Sequence, residues 1–451
     1  MKKTFERPII TRVSTGVVSK TGYKNILEPI THIDNVAVKE LIKNYGSPLF
    51  VVSEKTIRDV YQKAYTAFST RYPKIQFAWS YKTNYMDAVC RVYHQEGSWA
   101  EVVSGFEYEK AIRNGVAPEE IIFNGPDKSD QDLERAITNG SIIHIDHFDE
   151  LYTIIGLTDK LNERPKVAIR INMDTGIYPQ WSRFGFNYDS GEAWEAINRI
   201  LISGKMDLIG LHAHIGTYMM VSSAYKVAGT KMSALAVKIK KKYALAIDYI
   251  DFGGGFASHN TLKGAYLPGK DTNPSFDDYA EAITSSVINS DISPDDLPTI
   301  VLETGRALID DAGSLLGTVL ANKKLVDGTK TLVVDVGVNT LFTSFWYDHE
   351  FVPAQSFGAH TESTKIYGPL CMNIDVVREY IEIPPLKKGD QFVISRIGAY
   401  NMTQWMQFIT YRPAIVMIDL DEKPHIIRKA EDIEAVTYLE AIPEHLKEIN
   451  S

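Results

Sequence analysis

The chain has 451 residues, of which 44% are hydrophobic, 23% charged and 11% aromatic, an ordinary globular composition that excludes a disordered or fibrous protein. Lys and Arg number 48 against 57 Asp and Glu, a net charge of −9, which argues against nucleic acid as a partner because nucleic-acid-binding domains are normally basic. Two cysteines, Cys90 and Cys371, exclude a disulfide-stapled secreted scaffold.

The N-terminus lacks the apolar core of a signal peptide and no run of about 18 apolar residues occurs, so a cytoplasmic location without a membrane span is expected. From about residue 47, short apolar runs rich in β-branched residues alternate with stretches of helical spacing such as 55–69 and 106–114. Eight such runs occur, at 75–79, 100–103, 121–123, 142–145, 167–171, 208–215, 249–252 and 299–303. Strand and helix alternating eight times predicts an α/β fold, a (β/α)₈ TIM-like barrel over 47–308. Barrel chemistry sits at the C-terminal ends of the strands, so the residues just after each run are the candidates. The polar stretch 257–278, rich in Gly, Pro and Asn, reads as a long loop after the seventh strand, a position for a lid. Beyond 309, strands follow without long helices, at 315–320, 331–336, 391–397, 414–418 and 425–429. This predicts a mostly-β C-terminal domain over 309–451. The segment 1–46, with weak strand character at 9–13 and 16–18, is a candidate to join it.

The first barrel strand ends in Ser80-Tyr81-Lys82-Thr83-Asn84. A lysine at the mouth of an apolar barrel is disfavoured as an ammonium, so Lys82 is expected to supply the free amine that Schiff-base chemistry requires. The sixth ends in His212-Ala213-His214-Ile215-Gly216-Thr217. Histidines at i and i+2 face one side, yet no Asp or Cys ligand stands nearby in a recognisable spacing, and no metal is expected. The seventh ends in Asp251-Phe252-Gly253-Gly254-Gly255, whose glycines let backbone N–H groups approach an anion. The eighth ends in Glu303-Thr304-Gly305-Arg306, which adds a carboxylate and a guanidinium. Each feature alone has a plain structural reading, as a surface lysine, a turn or an ion pair. Together they describe a pocket for a phosphorylated aldehyde cofactor. In the β domain, Tyr367-Gly368-Pro369-Leu370-Cys371-Met372-Asn373-Ile374-Asp375 forms a turn, and Gly398-Ala399-Tyr400 offers a phenol able to bond a phosphate.

These motifs, in this order from about Gly46 to Arg412, resemble the fold type III pyridoxal-phosphate decarboxylases, which include diaminopimelate and ornithine decarboxylases. The resemblance implies pyridoxal 5'-phosphate as cofactor, an amino-acid substrate, and a homodimer with shared active sites. It makes Lys82 the Schiff-base lysine and stacks His214 on the pyridine ring. Gly254, Gly255, Arg306 and Tyr400 become the phosphate cradle, with Thr217 among the cofactor contacts. Glu303 pairs with the pyridine nitrogen, and Cys371 is the proton donor reaching the second subunit's site. Ser104, Arg170, segment 182–185 and Asp375 fall on family motifs, and Arg170, Tyr347, Asp348, Met372 and Asp375 are expected near the substrate.

The chain also departs from the pattern. Met372 stands where diaminopimelate decarboxylases carry Glu and ornithine decarboxylases Asp. Thr343-Ser344 replaces the Arg-Pro that precedes the tyrosine in diaminopimelate enzymes, and Tyr347-Asp348-His349 is similar to ornithine decarboxylases. Glu-Thr-Gly-Arg replaces Glu-Pro-Gly-Arg. Without those two charged contacts a diaminopimelate distal centre would be poorly paired. The expectation is therefore decarboxylation of a different amino acid, less charged at its distal end or bound through Asp348. The alternatives are diaminopimelate decarboxylation itself, amino-acid racemisation, and a non-catalytic homologue, the last opposed by retention of Lys82, Glu303 and Cys371.

Overall fold

The structure, a computed structural model, describes residues 28–447 except 359. The expected strands at 9–13 and 16–18 lie outside the described residues. Eight parallel strands form a closed barrel: Ile75–Ser80, Trp99–Val102, Ile121–Phe123, Ile142–Ile145, Lys166–Asn172, Asp207–His212, Tyr249–Asp251 and Thr299–Leu302. Closure is complete because the eighth strand pairs with the first, Ile300 beside Ile75, and the sixth with the fifth, Leu208 beside Val167.

The strand period of two builds the interior in layers. Ala78, Ile122, Ile142, Ala168, Tyr249 and Val301 form an apolar plug, and Gly210 leaves the room that the Tyr249 ring occupies, since a Cβ there would lie 2.2 Å from that ring. Two residues further along the same strands stand Ser80, Asn124, His144, Arg170, Asp251, Glu303 and, after Gly210, His212. One register thus converts an apolar floor into a polar layer at the C-terminal mouth. Outside, helices bury their apolar stripes on the barrel. Glu54–Ser69, capped by Ser53 Oγ accepting the Thr56 N–H, buries Ile57, Tyr61, Ala64 and Phe68.

The second domain is a mostly antiparallel β structure. Its long strand Gly313–Lys324 pairs with Gln391–Ser395, with Lys330–Val334 and with Leu49–Ser53. Leu49–Ser53 also runs parallel to Ile415–Ile418, Val51 beside Val416. This corrects the expected boundary at residue 47: the five fully buried residues of Leu49–Ser53 belong to the second sheet, and the barrel half begins with the helix at Glu54. Two strands the sequence reading passed over, Glu362–Tyr367 and Val376–Ile383, form a hairpin whose turn carries Cys371. Their half-exposed, charge-rich faces hide the apolar alternation.

The stretch 257–278 includes a short helix, Gly269–Thr272, and the start of Phe276–Ile288. Its root is fastened to the second domain, with the Asp348 N–H donating to Thr261 O at 2.9 Å and the Lys263 N–H to Trp346 O at 2.9 Å. The tip carries Tyr266, 80% exposed. Among the described residues no helix is long and apolar enough to cross a membrane.

Candidate active site

A cavity of about 290 Å³ opens at the C-terminal mouth of the barrel, and Lys82, Arg170, His214, Thr217, Gly254, Gly255, Glu303, Arg306 and Tyr400 all line it. Eight of these nine residues singled out in the sequence are brought together by the strand ends of the barrel. Tyr400 comes from the second domain, where its backbone N–H donates to Thr83 O at 2.9 Å and so seats its loop beside Lys82. Thr403 Oγ1 adds a bond to Lys82 O at 3.0 Å.

Lys82 Nζ lies 2.5 Å from Glu101 Oε2 at the end of the second strand. Burial pulls the ammonium down, but the Glu101 and Glu303 carboxylates outweigh it and hold the amine above the usual lysine range. The expectation of a desolvated, lowered lysine is corrected accordingly: its environment is buried but anionic. Asn124 Nδ2 bridges the two acids, donating to Glu101 Oε1 at 3.1 Å and to Glu303 Oε1 at 2.5 Å. Glu101 and Asn124 were not anticipated, although the rule that barrel chemistry sits at strand ends points to both.

His214 accepts the Gly254 N–H on Nδ1 at 3.0 Å. Burial, with the Arg170 and Lys82 charges, lowers the imidazole to about 3, so the ring is neutral and carries its proton on Nε2. The Trp181 ring, 5.4 Å from that of His214, lines the cavity, and Arg170 lies 4.4 Å over the Phe184 ring.

The glycine turn has no room for side chains. A Cβ at Gly254 would stand 2.6 Å from Glu303 O, and one at Gly255, whose φ is +95°, would stand 2.2 Å from Gly216 O. Beside this turn Arg306 is half-buried, its Nη1 buried without a partner, enclosed by the rings of Tyr400 at 4.6 Å and Tyr347 at 5.2 Å. An unpartnered buried guanidinium nitrogen next to a glycine turn whose backbone no Cβ shields fits a phosphate group. A primary amine and a carboxylate across the same cavity fit the aldehyde and the pyridine nitrogen of pyridoxal phosphate.

The remaining sequence candidates lie outside this cavity. Cys371 is exposed on its hairpin turn, with Met372 beside it. Asp375 is buried and fully engaged by that turn, Oδ1 accepting from Val338 N at 2.8 Å and Oδ2 from Leu370 N at 2.7 Å. These bonds shape the loop that presents Cys371. Tyr347 is buried, its ring against Arg306. Asp348 faces Arg378 at 3.8 Å. Thr343, in the place of the family arginine, is fixed between His349 Nε2 at 2.8 Å and Asn401 Oδ1 at 2.9 Å.

At and beneath the floor of the cavity His144, His212, Asp251 and Glu303 bring ligand-type atoms within 4.8 Å of one another, all four buried. Their separation along the chain hid this cluster from a search for ligands adjacent to His212. The spacing is wide for four ligands each about 2 Å from one ion.

A closed parallel barrel whose mouth pairs an amine with two carboxylates and a phosphate-ready turn, completed by a loop from a β domain, defines a barrel-type pyridoxal-phosphate enzyme. The model of the family described as pyridoxal-dependent decarboxylase, pyridoxal binding domain, matches residues 57–310. The chain belongs to this family: it is a pyridoxal-phosphate-dependent decarboxylase. The diaminopimelate decarboxylase of Bacillus subtilis is 28% identical over 424 residues, covering 90% of this chain and 94% of its own. A crystal structure of diaminopimelate decarboxylase from M. jannaschii in complex with L-lysine superposes with a TM-score of 0.85 at 27% identity, covering 94% of this chain and 99% of that one. A lysine/ornithine decarboxylase from Vibrio vulnificus shares the fold, with a TM-score of 0.72 at 20% identity over 86% of this chain and 98% of that one.

Proposed function

We propose that the protein removes the α-carboxylate of an amino acid whose distal end differs from that of meso-diaminopimelate, working as a cytoplasmic homodimer. The observation that carries this reading is the pair of missing charges. Met372 occupies the place of an acid, and Thr343 is tied inside the β domain by His349 and Asn401. Asp348, the remaining candidate for a distal amine, already faces Arg378. That favours a distal end with little charge over one bound through Asp348, since an ionised terminus left without a partner is costly to bury.

Pyridoxal phosphate, when bound, supplies an electron sink for the bond broken at Cα. Lys82 would hold it through its aldehyde carbon, and Glu101, at hydrogen-bond distance, is placed to take up or return the ammonium proton. Glu303 holds a proton at the pyridine nitrogen through a charge-assisted hydrogen bond. His214, neutral, offers an aromatic face rather than a charge. Gly254, Gly255, Arg306 and Tyr400 anchor the phosphate, and Thr217 lies beside them. Arg170 stands where a carboxylate can be oriented. Cys371, exposed on its own subunit and outside its own cavity, delivers the proton to Cα in the partner's site, with Met372 beside the substrate.

Carbon dioxide release from meso-diaminopimelate, lysine, ornithine, arginine and neutral-tailed amino acids, each enantiomer separately, tests the proposal. Robust lysine formation from diaminopimelate defeats the altered-substrate reading. That second reading has its own support, namely diaminopimelate decarboxylases 26–28% identical over about 90% of the chain. Change of chirality without carbon dioxide would mark a racemase.

A further inference from the structure

Beneath Glu303 lies a set of buried titratable groups for which the reaction as described has no use. Asp251 ends the seventh strand with no exposure at all. Its Oδ1 accepts the Gly253 N–H at 2.7 Å, which starts the glycine turn. Its Oδ2 is buried without a partner, and a carboxylate oxygen of Asp251 lies within 4.8 Å of one of Glu303. His212 Nε2 lies 3.3 Å from Glu303 Oε2 on another side. The His144 ring sits 4.7 Å from that of His212, and its Nε2 is 2.7 Å from the Tyr249 hydroxyl. Glu101 and Asn124 complete the surroundings.

Two carboxylates buried this close do not both ionise. The donors around them are unequal. Glu303 receives an N–H from Asn124 at 2.5 Å and stands across the cavity from Lys82 and Arg170. Asp251 receives a single backbone N–H. Burial first, and then the Glu303 charge, push the Asp251 carboxyl well above the usual carboxylate range. Burial also holds both His212 and His144 neutral, so neither supplies a cation to offset a second negative charge.

We propose that Asp251 is a positioning residue that holds the shared proton of the Asp251–Glu303 pair and donates it to Glu303, leaving Glu303 alone ionised toward the pyridine nitrogen. Asp251 then joins the two anchors of the cofactor, with one oxygen fixing the turn that receives the phosphate and the other fixing the acid that receives the ring. The inference rests on Glu303 being the partner of the pyridine nitrogen.

Infrared difference spectra of the full-length protein, with and without pyridoxal phosphate, test the proton's place directly. At pH 8 the carbonyl stretch of a protonated carboxylic acid is expected. It should shift when aspartate is labelled with carbon-13 at its carboxyl, disappear in Asp251→Asn and persist in Glu303→Gln. Labelling uses the unmodified chain, so the test survives a variant that fails to fold. No such band, or one that shifts with labelled glutamate and vanishes in Glu303→Gln, overturns the proposal. The cofactor dissociation constant is expected to rise about tenfold in Asp251→Ala, which leaves a buried acceptor unsatisfied, and to be largely rescued in Asp251→Asn, whose amide still donates. Equal losses in the two variants also overturn it. Unchanged cofactor affinity in Glu303→Gln, with the aspartate band in place, would instead defeat the assignment of Glu303 to the pyridine nitrogen.

Discussion

Replacing Gly255 by alanine adds one methyl group at the tightest point of the cofactor turn. The new Cβ would lie 2.2 Å from Gly216 O, 3.0 Å from the Tyr225 hydroxyl and 3.2 Å from the Gly216 carbonyl carbon. An ordinary contact begins near 3.4 Å, so one chain must retreat by about 1 Å, and a backbone carbonyl cannot swing aside as a flexible side chain can. The φ of +95° adds about 1–2 kcal/mol for an L-residue. Overpacking of this kind costs about 1–3 kcal/mol more. A total of roughly 2–5 kcal/mol is expected, read as a lower midpoint in urea denaturation of the cofactor-free protein. Gly255 O accepts the Met219 N–H at 2.8 Å, so the retreat drags the 216–219 segment and spoils the phosphate cradle. Cofactor affinity should fall at least tenfold. Gly264→Ala is the control, because its φ of +78° imposes the same backbone penalty where a Cβ meets nothing within 4 Å. It should cost only about 1–2 kcal/mol and leave cofactor binding alone. If Gly255→Ala matches Gly264→Ala in both measurements, the close-approach argument is wrong.

Three further outcomes are expected. Cys371→Ala should lower kcat about a hundredfold, as loss of a positioned proton donor does, while spectrophotometric titration shows cofactor affinity unchanged. Mixing it with Lys82→Ala subunits should restore activity if the sites are shared, and a mixture that stays inactive refutes the sharing. Glu101→Gln removes the nearest carboxylate from Lys82, so the pH midpoint for capture of pyridoxal phosphate moves down; a midpoint that stays or rises contradicts the pairing. Glu107, raised to about 7 by burial despite accepting the Val103 N–H, binds its proton more tightly folded than unfolded. Its favourable contribution is complete below about pH 4.5, declines as pH rises toward 7 and is absent above. Glu107→Gln should therefore match the parent at pH 4.5 in urea denaturation and exceed it by up to about 3 kcal/mol at pH 8, and a parallel offset at both pH values would refute the titration.

The barrel was legible because its strands are buried on both faces and read as apolar runs, each followed by a helix of clear period. Its closure, and the β domain after 309, followed from counting. Leu49–Ser53 was assigned to the barrel because an apolar run before a helix looks the same whichever sheet it joins; only pairing with residues more than 250 positions away decides it. At the site, Lys82, His214, Glu303 and Arg306 declared themselves by sitting just past strands. Glu101 is the last residue but one of its strand, and Asn124 follows another, so the same rule reached them without being applied. What Asp375 holds was not legible, since a motif acid in a turn offers no sign that both its oxygens face backbone amides. The protonation of Lys82 was misjudged for a related reason: burial is visible in a sequence pattern, but the carboxylate 2.5 Å away is not.

Leu49–Ser53 is made before any part of the barrel, yet both its neighbours come after it. During synthesis this mostly apolar ribbon waits with two unsatisfied edges until Gly313–Lys324 and then Ile415–Ile418 emerge. Such a ribbon invites pairing with other nascent chains. The ends of the barrel half are meanwhile left untied, because the strand leading in and the strand leading out are hydrogen-bonded to each other, Val52 to Gly313. The late strand Ile415–Ile418 thus finishes a seam that was opened before the barrel was made, and a chain released before Ile415 would hold a complete cofactor barrel on an unfinished hem.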